Sequence, residues 1–220
     1  MKRNWARLVP LLAAVCLLSS CSLLYFSAME HLGKEKRDIL VQRIRAVKKD
    51  QQATEEQLKT TLQAFQEVTG FQGGSLEKAY NKLNKEYERC EGRANKLKGR
   101  VDSVDQVASR MFSEWQGEIK GMHNRSLRDQ SENLLLTARQ QHAQYMRKMR
   151  RTEENIEPVL QAFHDQVTFL KHNLNARAIS SLKKTSAQID LQAANLIRDI
   201  DASTTEADKY IQTLSRADAK

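Results

Sequence analysis

The chain has 220 residues, with 36 Lys+Arg against 27 Asp+Glu and a formal net charge of +9. It carries only 8 Gly and 2 Pro, too few turn formers for a strand-rich sandwich or barrel. Both signs of charge fall within a turn of each other, as in Lys48-Lys49-Asp50 and Arg150-Arg151-Thr152-Glu153-Glu154, which describes a solvated helix surface and argues against a nucleic-acid partner.

The first element is a leader. Lys2, Arg3 and Arg7 precede an apolar run from Leu8 to Leu18, broken only by Pro10. That run is too short to span a bilayer and fits a secretory h-region. Leu18-Ser19-Ser20-Cys21 comes next and looks like a bacterial lipobox. In this reading residues 1–20 are a signal peptide, and Cys21 becomes the lipidated first residue, held to the membrane through N-terminal acyl chains. Ser22, rather than Asp, after the cysteine points to the outer membrane over the inner one. The competing reading is an uncleaved anchor extended by Leu23, Leu24, Tyr25 and Phe26, but Ser19, Ser20, Cys21 and Ser22 interrupt it and suit cleavage. Loss of Lys2, Arg3 and Arg7 leaves 33 basic against 27 acidic residues, a net +6. An exported chain of that charge meets phospholipid head groups, lipopolysaccharide or cell-wall polymers. Of the three cysteines, Cys16 leaves with the signal and Cys21 takes the lipid, so Cys90 has no intramolecular disulfide partner.

Residues 21–34 form the lipidated start and a short tether, made apolar by Leu23, Leu24, Tyr25, Phe26, Met29 and Leu32. It is too short to hold the folded part far from a bilayer. Residues 35–216 read as a single helical domain and 217–220 as a disordered tail.

The first helix, about 35–69, carries Leu40, Ile44, Val47, Leu58, Leu62, Phe65 and Val68 on one face, with Gln51 and Thr54 filling the gap. Gly70-Phe71-Gln72-Gly73-Gly74 is a turn, and Ser75 caps the second helix. That helix, about 75–118, has the cleanest pattern. Leu76, Tyr80, Leu83, Tyr87, Cys90, Ala94, Leu97, Val101, Val104, Ala108, Met111 and Trp115 are spaced 4-3-4-3, a heptad seam. Cys90, Trp115 and the tyrosines therefore read as packing residues. Gly121 and Asn124 mark the next turn, and Ser126 with Asp129 has capping-box spacing.

The third helix, about 126–172, places Leu127, Leu134, Ala138, Tyr145, Met149, Ile156, Val159, Phe163, Val167 and Leu170 on its seam. Pro158 removes one helical hydrogen bond, and the spacing continues across it, which predicts a kink rather than an end. Asn173 and Asn175 predict a turn near 172–177. The fourth helix, about 178–216, follows Ile179, Leu182, Ser186, Ile189, Ala193, Leu196, Ile200, Ser203, Ala207, Tyr210 and Leu214. The fold class is all-α, an elongated antiparallel bundle or coiled coil, most simply four long helices running up-down-up-down. The alternative keeps 126–216 as one helix and forms a homo-oligomer along it.

No catalytic constellation is present. The chain has no phosphate-binding loop, no His-Glu-x-x-His or Glu-x-x-His, and no Gly-x-Ser-x-Gly. His31, His123, His142, His164 and His172 are scattered, and a compact metal site needs three or four ligands. No catalytic residue, metal site or cofactor is expected. The one dense polar cluster is Lys171-His172-Asn173-Leu174-Asn175-Ala176-Arg177. Turn chemistry accounts for its asparagines, and Lys171 and His172 suit the negative end of a helix dipole. The functional reading makes Lys171, His172, Asn173, Asn175 and Arg177 a partner-contact patch at the tip far from the lipid.

The chain resembles an uncharacterised proteobacterial lipoprotein family, domain of unknown function 2959. The resemblance rests on Tyr25, Ser27-Ala28-Met29-Glu30, Gly33, Lys36-Arg37-Asp38-Ile39-Leu40-Val41, Tyr80, Lys82-Leu83-Asn84, Glu86-Tyr87, Glu114-Trp115 and Ser126-Leu127. Pro158-Val159-Leu160, Asp165-Gln166-Val167, Leu170 to Ile179 and Ser181-Leu182 extend it over essentially the whole mature chain. None of these strings is a catalytic motif. The resemblance implies a helical lipoprotein of unassigned role and no functional residue. The expectation is a lipid-anchored periplasmic protein with a structural, scaffold or spacer role in the envelope, without catalysis. The alternative is a binding or regulatory module that meets an envelope protein, a cell-wall partner or an anionic ligand through the Lys171–Arg177 tip.

Overall fold

The computed structural model describes residues 36–216. The leader, Cys21, the tether and residues 217–220 lie outside the described residues. The chain divides into two units, Met1–Ile39 and Leu40–Lys220. Of the first, only the opening turn of a helix, 36–39, is described.

Four helices succeed one another: α1 Lys36–Thr69, α2 Leu76–Lys120, α3 Arg125–His172 and α4 Ala176–Arg216. No strand occurs among the described residues. At 1.5 Å per residue the longest helix extends about 70 Å. Within the second unit the helices pair antiparallel in sequence. Gln57 of α1 donates to Glu86 of α2 at 2.8 Å, and Asp50 takes Lys96 and Arg100 at 2.8 and 3.0 Å. Trp115 of α2 donates to Ser131 of α3 at 2.9 Å, and Arg150 meets Asp102 at 2.7 Å. Asn155 of α3 donates to Asp199 of α4 at 2.7 Å. α4 returns to α1 through Gln66–Asp190 at 2.9 Å and Lys48–Asp208 at 2.6 Å. The diagonal is closed by Phe65 and Phe163, edge to face at 5.9 Å. This is the up-down-up-down bundle. The long single helix over 126–216 does not form, because Asn173–Asn175 break it.

The seams on α2 and α4 pack largely as their spacing predicts. Leu83, Tyr87, Cys90, Ala94, Leu97, Val101, Val104 and Ala108 are buried, as are Ile179, Leu182, Ile189, Ala193, Leu196, Ile200, Ser203, Ala207, Tyr210 and Leu214. Past Ala108 the buried row of α2 moves to Phe112 and Ile119. Cys90 is a buried free thiol, pushed up to about 11 by desolvation, which makes it an inert core residue at neutral pH.

The start of α3 differs from expectation. Leu127 and Leu134 are 57% and 61% exposed, and Leu135 is buried instead. Gln144 lies 3.5 Å from Glu206, and α4 ends at Arg216. The antiparallel pairing therefore leaves α3 before about position 134 with no α4 beside it. From Leu135 onward the row continues through His142, Tyr145, Met149, Thr152, Ile156, Val159 and Phe163, all buried. Tyr145, Met149, Ile156, Val159 and Phe163 stand where the spacing put them, and His142 and Thr152 are the polar members it did not name.

The caps are local. Ser75 accepts from the Lys78 amide at 3.3 Å, and Gly74 ahead of it sits at φ +102, a conformation that favours glycine. α3 is capped by Asn124, whose side chain accepts from the Leu127 amide at 3.1 Å. Ser126 is thus inside the helix and not its cap. α3 runs through Pro158 without ending.

A polar layer crosses the core where α1 breaks its apolar face. Gln51 is 1% exposed, and its amide nitrogen donates to Ser203 Oγ and lies 3.4 Å from Met149 Sδ. Thr204 donates to its carbonyl oxygen at 3.5 Å. Thr54 folds its hydroxyl back to the Asp50 carbonyl at 2.8 Å.

Phe163 is fully buried against Phe65. We expect Phe163→Ala to cost about 3–5 kcal/mol in chemical denaturation, and Phe169→Ala, at a 40% exposed position on the same helix, well under about 1 kcal/mol.

Candidate functional site

The turn between α3 and α4 is the tip opposite the end at which Leu40 begins the second unit. Its chemistry divides in two. Asn173 closes α3, its side-chain amide donating to the Phe169 carbonyl at 2.9 Å. Asn175 opens α4, its side-chain oxygen accepting from the Ala178 amide at 3.0 Å. Both asparagines are therefore spent on helix ends. Lys171, His172 and Arg177 are exposed, and Phe169 and Leu174 are 40% and 41% exposed beside them. Sequence reasoning placed the polar members of this patch and left out Phe169, whose apolar type gave no signal of exposure. The tip offers two cations, an imidazole and two apolar groups to a partner. It holds no arrangement for bond-making chemistry.

The grooves between helices are open. One, of about 460 Å³, lies beside Pro158 and is lined by Arg151, Asn155, Asn195, Arg198 and Asp199. Arg198 is tied to Asn195, and Asn155 to Asp199. A second, of about 490 Å³ between α1 and α2, holds Gln57, Arg89, Arg93 and Lys96. Arg89 and Lys96 there are paired with Glu86 and Asp50. The Lys96–Asp50 pair crosses from α2 to α1 beside the seam, where such pairs set partner register, while Arg89–Glu86 lies within α2. Among the described residues no group of three or more His, Cys, Asp or Glu could hold a metal ion. No described helix is long and apolar enough to cross a membrane.

One internal cluster escaped the sequence reading. His142 of α3 is buried between α2 and α4. Its Nε2 lies 3.2 Å from Asp105 Oδ1, and its Nδ1 lies 3.3 Å from the Tyr210 hydroxyl. The arrangement that satisfies both is the neutral ring with Nε2–H donating and Nδ1 accepting. The edge of Phe112 approaches at 5.6 Å, and Tyr145 stacks on Tyr210 at 5.0 Å. Burial lowers the His142 pKa, against an opposing hydrogen bond from Asp105. Burial also raises both tyrosines. The Tyr145 hydroxyl is buried without a hydrogen-bond partner among the described residues. His164, by contrast, is exposed and meets Tyr87 at 3.2 Å.

At the tip, Asn175→Ala removes a cap and should cost about 1 kcal/mol, lowering the melting temperature by about 2–4 °C. Arg177→Ala at the neighbouring exposed position should stay within about 0.5 kcal/mol of the parent. Thermal unfolding followed by circular dichroism separates the two.

No curated protein and no solved structure matches the chain. A family model does match, over residues 25–214, a span that takes in all four helices and both the tip and the His142 cluster. The chain belongs to the family described as protein of unknown function (DUF2959).

Proposed function

We propose that this protein is an acyl-anchored helical spacer or scaffold of the bacterial cell envelope, facing the periplasm from the outer membrane and without catalytic activity. The observation that carries the reading is Leu18-Ser19-Ser20-Cys21 after a basic head and a short apolar run. The fold supports it. Helices up to about 70 Å long with buried apolar seams and open grooves between them suit a mechanical or spacing role better than turnover, which needs convergent groups in a concave site.

Metabolic labelling with a palmitate analogue tests the anchor. The parent chain should be tagged and remain with the membrane fraction. Cys21→Ser should lose the tag and stay as an uncleaved precursor. An untagged parent chain would sink the reading.

A second reading is favoured by the exposed Phe169 and Leu174 beside Lys171, His172 and Arg177. It makes the tip a contact patch for an envelope protein or a cell-wall partner, since aromatic and basic groups on rigid turns are common anchors. Its test spares the capping asparagines. Lys171→Ala, Leu174→Ala and Arg177→Ala together should leave the melting curve unchanged and abolish in-cell crosslinking from a photoreactive residue at position 172. Crosslinking that survives the triple change would reduce the tip to a turn.

A further inference from the structure

The buried Asp105–His142–Tyr210 chain ties three helices together at one level of the bundle. Asp105 belongs to α2, His142 to α3 and Tyr210 to α4. Tyr210 and Leu214 are the last buried side chains described on α4, so this chain holds the closing turns of that helix. We propose that protonation of His142 unlatches the C-terminal end of α4 from α2 and α3, which makes the bundle open from that end in acid.

The hydrogen-bond geometry supplies the mechanism. In the neutral ring Nδ1 accepts the Tyr210 proton at 3.3 Å. A proton added to Nδ1 turns that acceptor into a donor, and the tyrosine oxygen can take it only if the hydroxyl proton gives up the acceptor it had. Tyr210 must rotate its proton away from the ring. Its nearest aromatic neighbour, Tyr145, already keeps a hydroxyl buried without a partner among the described residues, and both tyrosines strongly favour their neutral forms because burial raises them. No negative group arises on that side to compensate the imidazolium.

The charges around the ring are divided by element. α2 offers Asp105, whose side chain is 50% exposed and therefore screened by water, and Asp102, which is engaged by Arg150. Arg110 lies on α2 a turn and a half beyond. α3 offers Arg139, one turn away over the Phe112 ring at 5.9 Å and hydrogen-bonded to Gln116. α4 offers Glu206, beside Lys209 at 3.7 Å, and Asp208, bound by Lys48 of α1. α1 passes this level with the buried Ile44, flanked by Arg43 and Lys48. Asp105 is thus the single carboxylate placed on the ring, and it acts from the solvent side. Desolvation outweighs it, and the folded ring titrates below its ordinary range near 6.5.

Linkage sets the direction of the pH effect. A His lowered by folding binds fewer protons in the closed state than in the open one, so closure is favoured above about 6.5 and weakens as pH falls from there through the folded value. The inference concerns the bundle alone and stands or falls independently of the lipid anchor.

Hydrogen exchange on the full chain at about pH 7.5 and about pH 5, corrected for intrinsic rates, reads the latch. Protection of the amides 205–214 should fall several-fold in acid, while amides 185–195 of the same helix keep theirs. His142→Phe retains a ring without the titration and should remove the acid response. Tyr210→Phe removes the hydroxyl that protonation must turn away, so the acid response should shrink, which keeps the test alive if His142→Phe does not fold. Equal protection of 205–214 at the two pH values would overturn the proposal. So would an acid response that His142→Phe leaves unchanged, or one that Tyr210→Phe leaves undiminished.

Discussion

Heptad seams of repeating 4-3 spacing share a weakness: a slide by seven residues restores nearly the same apolar contacts. The buried amide of Gln51 removes that freedom. Its nitrogen is matched to Ser203 on α4 and Met149 on α3, and its oxygen to Thr204. Shifting either partner by one heptad would leave a buried amide unsatisfied, at about 1–3 kcal/mol per group. For a fold whose whole stability is on the order of 5–15 kcal/mol, that difference decides register, as a single polar seam residue does in a coiled coil. Asp50 extends the layer to α2 by holding both Lys96 and Arg100. Those cations are half exposed, so each pair adds little stability. Their value lies in direction, because a misregistered α2 would present other residues to the one carboxylate.

Register in turn determines what stands at each end. With α1 fixed against α2 and α4, Leu40 and Leu214 fall at one level, and the α3–α4 turn falls at the other extremity. α2 and α3 are longer than α1 and α4, so they run past that level as a pair. There the apolar Leu127 and Leu134 find no fourth helix and remain exposed. Their exposure is a consequence of unequal helix lengths rather than of local propensity. The same geometry explains the tip. Two helix ends meet within three residues, so caps are compulsory, and Asn173 and Asn175 meet that demand. The neighbours Lys171, Leu174 and Arg177 are released from structural duty and can face a partner.

Most of the architecture was legible because apolar spacing reports the helix face directly. The α2 seam from Leu83 to Ala108 and the α4 seam from Ile179 to Leu214 stood in the residues themselves. So did the Gly70–Gly74 turn with its Ser75 cap. Legibility failed where the seam is polar or unpartnered. On α3 the row from Tyr145 to Leu170 stood in the spacing, but Leu127 and Leu134 were counted with it, while its buried start is Leu135 and its polar members His142 and Thr152 went unnamed. A histidine or a threonine at a seam position carries no apolar signal of its own. Asn124 outcompeted Ser126 as the α3 cap because Arg125 already takes helical geometry, and sequence spacing cannot rank two capping residues that stand two positions apart. The tip was found as a polar cluster, whereas Phe169 joined it only when its exposure was seen.

The polar members of the seams differ in one property that separates their roles. Gln51, Ser203, Thr204 and Thr152 carry amides and hydroxyls with no titration in the range a folded protein meets, so the register they set is the same at every physiological pH. His142 sits one heptad from Met149, the methionine that contacts Gln51, and occupies the equivalent place in the next layer along α3. There the chain uses the one side chain whose ordinary pKa lies near neutrality. An amide at 142 could also have bridged Asp105 and Tyr210, since it offers a donor and an acceptor. A titratable ring in that position makes the closing turns of α4 conditional while the layer below stays fixed. Acid would therefore loosen the bundle from one end without changing the pairing of its helices, because the group that responds and the group that sets register are different side chains on neighbouring turns of the same core.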